Sequence, residues 1–277
     1  MQVQNAVTVS CPIYCYNLIS NIHITEELME SKKATVSKIM IFALNVCLLY
    51  LIGKPFISSI FYYAGLDKPW RDFIAEIIII GLTVIMALIT RNDNPSYGIQ
   101  KGTYKGSLKY IIPLSLLALM LAPYFFLIPM EAPIVPAVFH IIYIGIMEEL
   151  IFRGLIYRAA EVLTNEHKTI IISSILFGLF HLVNLSGDNA VAYVLLQVAF
   201  TAFIGLGFAA LRAKTRSILA GVLIHIVLDI NALFVDKIDW WENVQIAMFF
   251  VVGILLYVFY RVDRAKMGKQ NLNQEAR

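Results

Sequence analysis

Residues 144–154 read IGIMEELIFRG and place two adjacent carboxylates and an arginine inside a hydrophobic run long enough to cross a lipid bilayer. A charged side chain at the centre of a membrane helix costs about 2.5 to 3.5 kcal/mol on insertion scales. Glu149 and Arg153 are four residues apart, so they share one helix face and can pair. Glu148 lies about 100° further round the helix and has no such partner. The stretch therefore predicts an internal polar site around Glu148, which other helices enclose.

The composition identifies a membrane protein and excludes the ordinary soluble classes. Hydrophobic residues make up 59% of the chain and charged residues 15%, whereas soluble domains average about 25% charged residues. The apolar residues form runs of about 17 to 25, which suit membrane helices. No ten-residue alternating segments indicate a barrel. We therefore predict an all-α fold, a polytopic membrane helix bundle with about eight transmembrane helices.

The charge distribution and the cysteines exclude two other kinds of partner. The net charge is +3, but the basic residues are scattered through loops rather than gathered in a patch, so we predict no nucleic-acid partner. The partner that the composition implies is the lipid bilayer. Cys11, Cys15 and Cys47 form neither a paired framework nor a zinc pattern, and no disulfide is predicted.

Eight spans are predicted from the hydrophobic runs, and polar turns separate them. The first begins near Ser37, and Gly53, Lys54 and Pro55 interrupt it, which predicts either an end near Gly53 or a kink there. The others cover approximately 72–90, 110–129, the EELIFRG helix that starts near 136, 169–185, 190–211, 217–234 and 244–260. The predicted organisation is an N-terminal peripheral or disordered segment 1–36, a transmembrane bundle 37–261 with its core at about 136–232, and a tail 262–277.

Lysine and arginine alternate between the loops and predict the orientation. They cluster before the first span, in the second-to-third, fourth-to-fifth and sixth-to-seventh loops, and in the tail. The positive-inside rule then places the N and C termini in the cytoplasm of a protein of the cell (plasma) membrane. The first 36 residues lack a basic region followed by an apolar core, so no cleavable signal peptide is predicted. Met29 and the basic residues after it are typical of a native start, which predicts that residues 1–28 are an upstream extension.

Ionisable residues recur in two later spans at helical spacing. Phe177 precedes His181 by one turn, and His225 precedes Asp229 by one turn, so each pair projects from one helix face. If these faces converge on Glu148, the bundle encloses two carboxylates and two imidazoles. Such a set suits peptide hydrolysis, because a glutamate can take a proton from water while imidazoles stabilise the developing charge. It also suits a zinc ion, and both alternatives stay open.

Plainer interpretations compete with this one. A lone histidine in a membrane helix is often an interhelical hydrogen-bond partner. We interpret Glu149 with Arg153 as a structural pair, Phe177 as core packing, and His140, two turns before Glu148, as a packing residue outside the site. A proton-coupled transporter would also carry intramembrane acids and histidines, but it predicts inverted repeats that this sequence does not show.

Three ordered motifs resemble those of a known family. EELIFRG resembles its EExxxR motif, FGLFH its FxxxH motif and HIVLD its HxxxN/D motif. The family is CPBP, the CAAX-protease and bacteriocin-processing (Abi) intramembrane proteases, and the resemblance covers about Pro136 to Ala232. It implies an intramembrane endopeptidase that cleaves a membrane-associated peptide or protein. The alternative within the family is a non-proteolytic bacteriocin-immunity or membrane scaffold protein.

The resemblance also implies a role for each motif position. Glu148 would activate the hydrolytic water with His181 assisting, His225 and Asp229 would form the oxyanion side, and Glu149, Arg153 and Phe177 would give structural support. Asp229 stands where relatives of the eukaryotic CAAX enzyme usually carry asparagine, and an ionised aspartate cannot donate a hydrogen bond. The cofactor stays open: either a divalent metal such as zinc, held by Glu148, His181, His225 and Asp229, or a metal-free glutamate mechanism.

Overall fold

The computed structural model of the chain describes residues 13–90, 97–120, 133–187, 190–235 and 241–275. Within these ranges every regular element is a helix, which confirms the all-α prediction. The α-helices run from α1 to α10 in chain order: α1 Ile13–Leu48, α2 Lys54–Tyr63, α3 Lys68–Thr90, α4 Leu108–Leu119, α5 Ile134–Glu149, α6 Tyr157–Leu163, α7 Glu166–Phe180, α8 Val191–Thr215, α9 Leu219–Val235 and α10 Trp241–Glu275.

Three short segments of other helical types connect or extend these helices. A π-helical segment, Leu49–Gly53, joins α1 to α2, and a second, Leu150–Ile156, joins α5 to α6. A 3₁₀ segment, His181–Ser186, extends α7. The helix therefore does not end near Gly53, because the stretch Glu27–Tyr63 continues through it, while the predicted alternative, a kink there, stays a prediction. The wider π turn carries the helix past it, since the proline falls in the first turn of α2, where its missing N–H is tolerated.

Among the described residues, six helical stretches are long and apolar enough to cross a membrane, which confirms a polytopic bundle. They are Glu27–Tyr63, Lys68–Ile89, Ile134–Leu163, Glu166–Ser186, Val191–Thr215 and Asn243–Met267. The other two predicted spans correspond to the shorter apolar helices Leu108–Leu119 and Leu219–Ile230. The predicted end of the third span, 121–129, lies outside the described residues. The predicted boundary at residue 36 falls inside α1, and the domain limits remain predictions.

Three loops rich in lysine and arginine, which the sequence analysis placed on one side of the membrane, lie together at one end of the bundle. The Ile218 amide donates to the Gly98 carbonyl and the Thr103 amide to the Thr215 carbonyl, each at 2.8 Å. Arg216 reaches Glu161 of α6 at 3.3 Å. The loop before α4, the end of α6 and the turn after α8 are therefore on the same side, as alternating loops must be in a membrane bundle.

Two apolar clusters form the core, and the polar site lies where they meet. One cluster includes Leu114 of α4, Phe208 of α8 and Leu256 of α10. The other includes Met147 of α5 and Phe177 of α7, together with side chains of α1. Phe208 of the first cluster and Phe177 of the second both line the cavity that contains the polar motif residues.

Glycines allow α5 and α9 to approach closely beside that space. A Cβ atom added at Gly145 would lie 2.8 Å from Ile226 Cγ1, and one added at Gly221 would lie 2.9 Å from Glu149 Oε2. Both distances are shorter than a carbon side chain tolerates. The absence of a side chain at these two positions thus brings the glutamates of α5 within reach of the histidine of α9.

Gly145→Leu should destabilise the protein because the new side chain has no room against α9. Overpacking typically costs about 1 to 3 kcal/mol, so thermal unfolding in detergent, followed by intrinsic fluorescence, should show a midpoint lower by roughly 2 to 10 °C. Gly81→Leu is the matched control, since no atom lies within 4 Å of the Cβ it would add. Equal midpoints for the two variants would contradict the close α5–α9 contact.

Candidate active site

A cavity of about 510 Å³ lies inside the bundle and contains the motif side chains. Glu148 from α5, His181 from the end of α7, and His225 and Asp229 from α9 all line it. Phe177 lines it as well. The structure therefore brings together groups from helices that are far apart in sequence, although their chemical roles remain to be tested.

The two adjacent glutamates have different surroundings. Glu149 is 1% exposed, and its Oε1 lies 3.0 Å from Arg153 Nη1 and 3.1 Å from His225 Nδ1. Glu148 is 7% exposed and lines the cavity. No lysine or arginine pairs with it among the described residues. The pairing of Glu149 with Arg153 matches its predicted geometry, whereas its contact with His225 was not predicted.

His225 is surrounded by carboxylates on both sides of its ring. A carboxylate accepts hydrogen bonds, so the contact with Glu149 requires Nδ1 to carry a hydrogen. Nε2 then faces the cavity, 3.8 Å from Glu148 Oε2 and 3.6 Å from Asp229 Oδ2. Glu149 thus determines which nitrogen of His225 is directed toward the cavity.

The Nδ1 atom of His181 also contacts an acceptor, but this acceptor belongs to the backbone, and the tautomer of His181 follows from the contact. Its Nδ1 lies 2.9 Å from the backbone carbonyl oxygen of Phe177. A carbonyl oxygen can only accept, so Nδ1 donates to it. In the neutral imidazole this leaves Nε2 as an acceptor for a hydrogen of a water molecule or a substrate.

Arg153 is fully buried and is held by aromatic rings as well as by Glu149. Its guanidinium carbon lies 4.0 Å from the centroid of Phe177 and 5.3 Å from that of Phe208. None of its N–H groups makes a directed hydrogen bond, so the contact with Glu149 is an ion pair rather than a hydrogen bond. Cation–π contact with the two rings, one from each apolar cluster, stabilises the buried charge.

Tyr50 is a contact of Glu148 that the sequence analysis missed. It belongs to the π-helical segment between α1 and α2, and its hydroxyl donates to Glu148 Oε1 over a long 3.5 Å. Its ring stacks on that of Tyr143 at 5.5 Å. Tyr50 stands in the apolar run LLYLIG and carries no motif, so only its position in space identifies it.

A second polar cluster, centred on the buried side chain of Glu76, lies beside the cavity and differs from what the sequence analysis predicted for Lys54 and His140. Lys54 Nζ lies 2.7 Å from Glu76 Oε1, and the same oxygen contacts His140 Nδ1. Lys54, which the sequence analysis named only as part of the interruption near Gly53, is paired with Glu76. Glu76 is fully buried and was absent from the predicted set of intramembrane ionisable residues. His140 was interpreted as packing outside the site, but it lines the cavity.

The described residues do not form a metal site in this arrangement. No group of three or more histidine, cysteine, aspartate or glutamate side chains among them is placed to hold a metal ion. His225 Nδ1 is taken by Glu149 and His181 Nδ1 by a carbonyl, which leaves one nitrogen of each ring. Zinc ligation by Glu148, His181, His225 and Asp229 remains a prediction, and the mechanism proposed for the chain uses its own side chains.

Comparison with known proteins identifies a family for the segment that carries the site. Residues 130–231 match the family model described as "Type II CAAX prenyl endopeptidase Rce1-like". The matched segment contains Glu148, His181, His225 and Asp229 and confirms the resemblance found in the motifs. Comparisons with curated proteins and with solved structures each found no match. Tyr50, Lys54 and Glu76 lie outside the matched segment.

Glu149→Gln should lower the amount of folded protein as well as any activity. Breaking a buried ion pair leaves Arg153 without its counter-charge and typically costs about 3 to 5 kcal/mol. Quantitative immunoblotting of membranes should show a clear loss of protein. The exchange of the pair, Glu149→Arg with Arg153→Glu, should restore part of the amount but no activity, because His225 then loses its acceptor.

Glu161→Gln is the control for the Glu149 variant. Glu161 also contacts two arginines, Arg158 at 2.6 Å and Arg216 at 3.3 Å, but these side chains are partly exposed. Surface ion pairs contribute about 0 to 1 kcal/mol, so the amount of protein should hardly change. If Glu149→Gln accumulated as well as Glu161→Gln, the structural role of Glu149 would be wrong.

Proposed function

We propose that the chain is an intramembrane endopeptidase of the CAAX-protease-like (CPBP) family, because its residues 130–231 match the model of that family. It hydrolyses a peptide bond in a membrane-associated peptide or protein, using a water molecule that Glu148 activates. Bacteriocin and pheromone precursors are among the small membrane-associated substrates that this proposal includes. The proposed location is the plasma membrane, with both termini in the cytoplasm.

One observation carries the proposal: of two adjacent glutamates, only Glu148 is available for chemistry. The Glu149 carboxylate is occupied by Arg153 and His225, whereas Glu148 lines the cavity, and its polar contacts among the described residues are the Tyr50 hydroxyl and, at 3.8 Å, His225 Nε2. A general base must reach the proton that it abstracts and must not be neutralised by a permanent cation. Glu148 meets both requirements.

The hydrolysis begins with a water molecule held between Glu148 and His181. The free Nε2 of His181 accepts one hydrogen of the water, and the Glu148 carboxylate takes the other proton as the oxygen attacks the scissile carbonyl carbon. A C–O bond forms, and the carbonyl oxygen becomes an oxyanion. Glu148 then gives the proton to the leaving nitrogen as the C–N bond breaks, which restores the carboxylate.

The oxyanion lies on the side of His225 and Asp229. With Nδ1 donating to Glu149, His225 in its protonated, imidazolium form also carries a hydrogen on Nε2, which is directed into the cavity and donates to the oxyanion. Asp229 lies 3.6 Å from that nitrogen and donates as well when it is protonated. Donors fixed before the reaction stabilise the charge at no reorganisation cost.

Glu148→Gln should abolish cleavage while leaving accumulation normal. The amide keeps the size of the carboxylate but cannot take a proton, so the rate should fall by roughly two or more orders of magnitude. The measurement compares the peptides of cells that carry the native protein with those of cells that carry Glu148→Gln. A processed peptide that vanishes in the variant names the substrate, and identical peptide sets would contradict the proposal.

Asp229→Asn tests the oxyanion side. Asparagine can donate a hydrogen bond, so cleavage of that substrate should stay within about tenfold of the native rate. Leucine has no donor, so Asp229→Leu should lower the cleavage rate by roughly 100- to 1000-fold, the usual effect of removing one oxyanion donor. Equal losses in both variants would mean that the Asp229 carboxylate itself is required, for example to orient His225.

A further inference from the structure

The cavity contains a second polar feature that the proposed chemistry does not use. Asn184 lies in the 3₁₀ segment after α7, and Gln197 lies in α8. The Asn184 Nδ2 group donates to Gln197 Oε1 at 2.8 Å, and both side chains are partly buried and line the cavity. We call these two side chains the amide pair.

The hydrogen bond within the amide pair leaves the Asn184 oxygen and three N–H bonds, one of Asn184 and two of Gln197, without a partner among the described residues. A carboxamide has one oxygen and two N–H bonds. The mutual bond uses the oxygen of Gln197 and one N–H of Asn184, so Asn184 Oδ1 remains as an acceptor and Gln197 Nε2 as a donor. An extended peptide presents the complementary groups, an N–H and a C=O of its backbone, along one edge.

The amide pair lies at a short distance from the reacting groups. Asn184 follows His181 by three residues of 3₁₀ helix, a rise of about 6 Å. An extended chain advances about 3.3 Å per residue, so this distance corresponds to about two residues of substrate. On α8 the lining continues from Gln197 through Thr201 to Phe208, whose ring lies 5.4 Å from that of His225.

The charge of the cavity indicates which part of a peptide fits there. The described residues that line it include carboxylates and histidines but no lysine or arginine. A terminal carboxylate of a peptide would therefore find no cation in this part of the wall. A neutral backbone amide matches the amide pair in both hydrogen bonding and charge.

We propose that Asn184 and Gln197 form a subsite that binds the backbone of an extended, uncharged peptide segment about two residues from the scissile bond. The inference rests on the proposed peptidase function for the identity of the ligand. Because the contacts are to the backbone, the subsite holds the chain in register without selecting a side chain. A peptide segment that has unwound from a helix exposes backbone N–H and C=O groups, which are costly inside a membrane when they have no hydrogen-bond partner. The subsite would supply such partners.

The test measures binding separately from cleavage. The protein is the full chain carrying Glu148→Gln in lipid nanodiscs, and the probe is an end-capped fluorescent decapeptide of non-repeating apolar sequence. Ten versions each carry a single N-methyl group on one backbone nitrogen, which removes one N–H. Fluorescence anisotropy gives the dissociation constants, and empty nanodiscs give the baseline for partition into lipid.

We expect N-methylation at one position to weaken binding roughly five- to tenfold, as loss of one neutral hydrogen bond should. In the background of Asn184→Leu, the same N-methyl group should change binding by less than about twofold, because Asn184 Oδ1, the acceptor of that N–H, is already gone. Gln197→Met removes the donor to a peptide carbonyl instead, so it should weaken binding of the unmethylated peptide while the N-methyl effect persists. Thr201→Val is the control. Thr201 lines the cavity one turn from Gln197, but its hydroxyl already donates to the backbone carbonyl of Gln197 at 2.6 Å and is not available to a peptide. That variant should keep the full N-methyl effect.

The outcomes separate the subsite from the chemistry. If no N-methyl position changes the dissociation constant, or if the effect persists in Asn184→Leu, the subsite is wrong even where the native protein cleaves the peptide. The N-methyl series needs no substitution in the amide pair, so a series without any effect contradicts the subsite even if the pair variants fail to fold. If the predicted effects are found but neither these peptides nor any cellular peptide is cleaved, the subsite stands and the proposed hydrolysis is wrong.

Discussion

One carboxylate oxygen, Glu149 Oε1, joins the parts on which the site depends. It lies 3.0 Å from Arg153 in the π-helical segment and 3.1 Å from His225 on α9, and all three side chains are buried. Removing any one of them would leave charge or hydrogen-bonding capacity unsatisfied in a low-dielectric interior. The same contact fixes the docking of α9 on α5 and the orientation of the imidazole. The buried ion pair with Arg153 and the orientation of the His225 ring thus both depend on this one oxygen atom.

The two adjacent glutamates lie in different surroundings because α5 turns them in different directions. Glu149 lies at the contact between helices, beside Arg153 and His225, while Glu148 lines the cavity. In many hydrolases the environment assigns one of two carboxylates of identical intrinsic chemistry to proton transfer and the other to support, and the roles proposed for this pair follow the same division. The close α5–α9 contact at Gly145 and Gly221 places Glu149 against α9.

The features that depend on spacing along one helix could be predicted from the sequence, and those that depend on how helices cross could not. The i, i+4 relations of Glu149 with Arg153 and of His225 with Asp229 follow from helical geometry and are found. The contact between Glu149 and His225 joins residues 76 apart, and that between Tyr50 and Glu148 joins residues 98 apart. The periodicity of a helix sequence predicts which residues share one face of that helix, but it does not predict which neighbouring helix that face contacts. Lys54 was interpreted as part of the interruption near Gly53, and Glu76 stands alone in an apolar run and gave no sign of being its partner.

The π-helical segment Leu150–Ile156 also changes how the chain can be engineered. A π turn takes up about one residue more than an α turn, so the side chains of α6 are rotated relative to a helical wheel that starts in α5. Cysteine pairs for cross-linking, or spin labels for distance measurement, that are placed on α6 by counting 3.6 residues per turn from Ile134 would therefore point in the wrong direction. Labelling schemes for this helix have to be counted from Tyr157, and a deletion of one residue within the segment is the change that would bring the two numbering schemes back into phase.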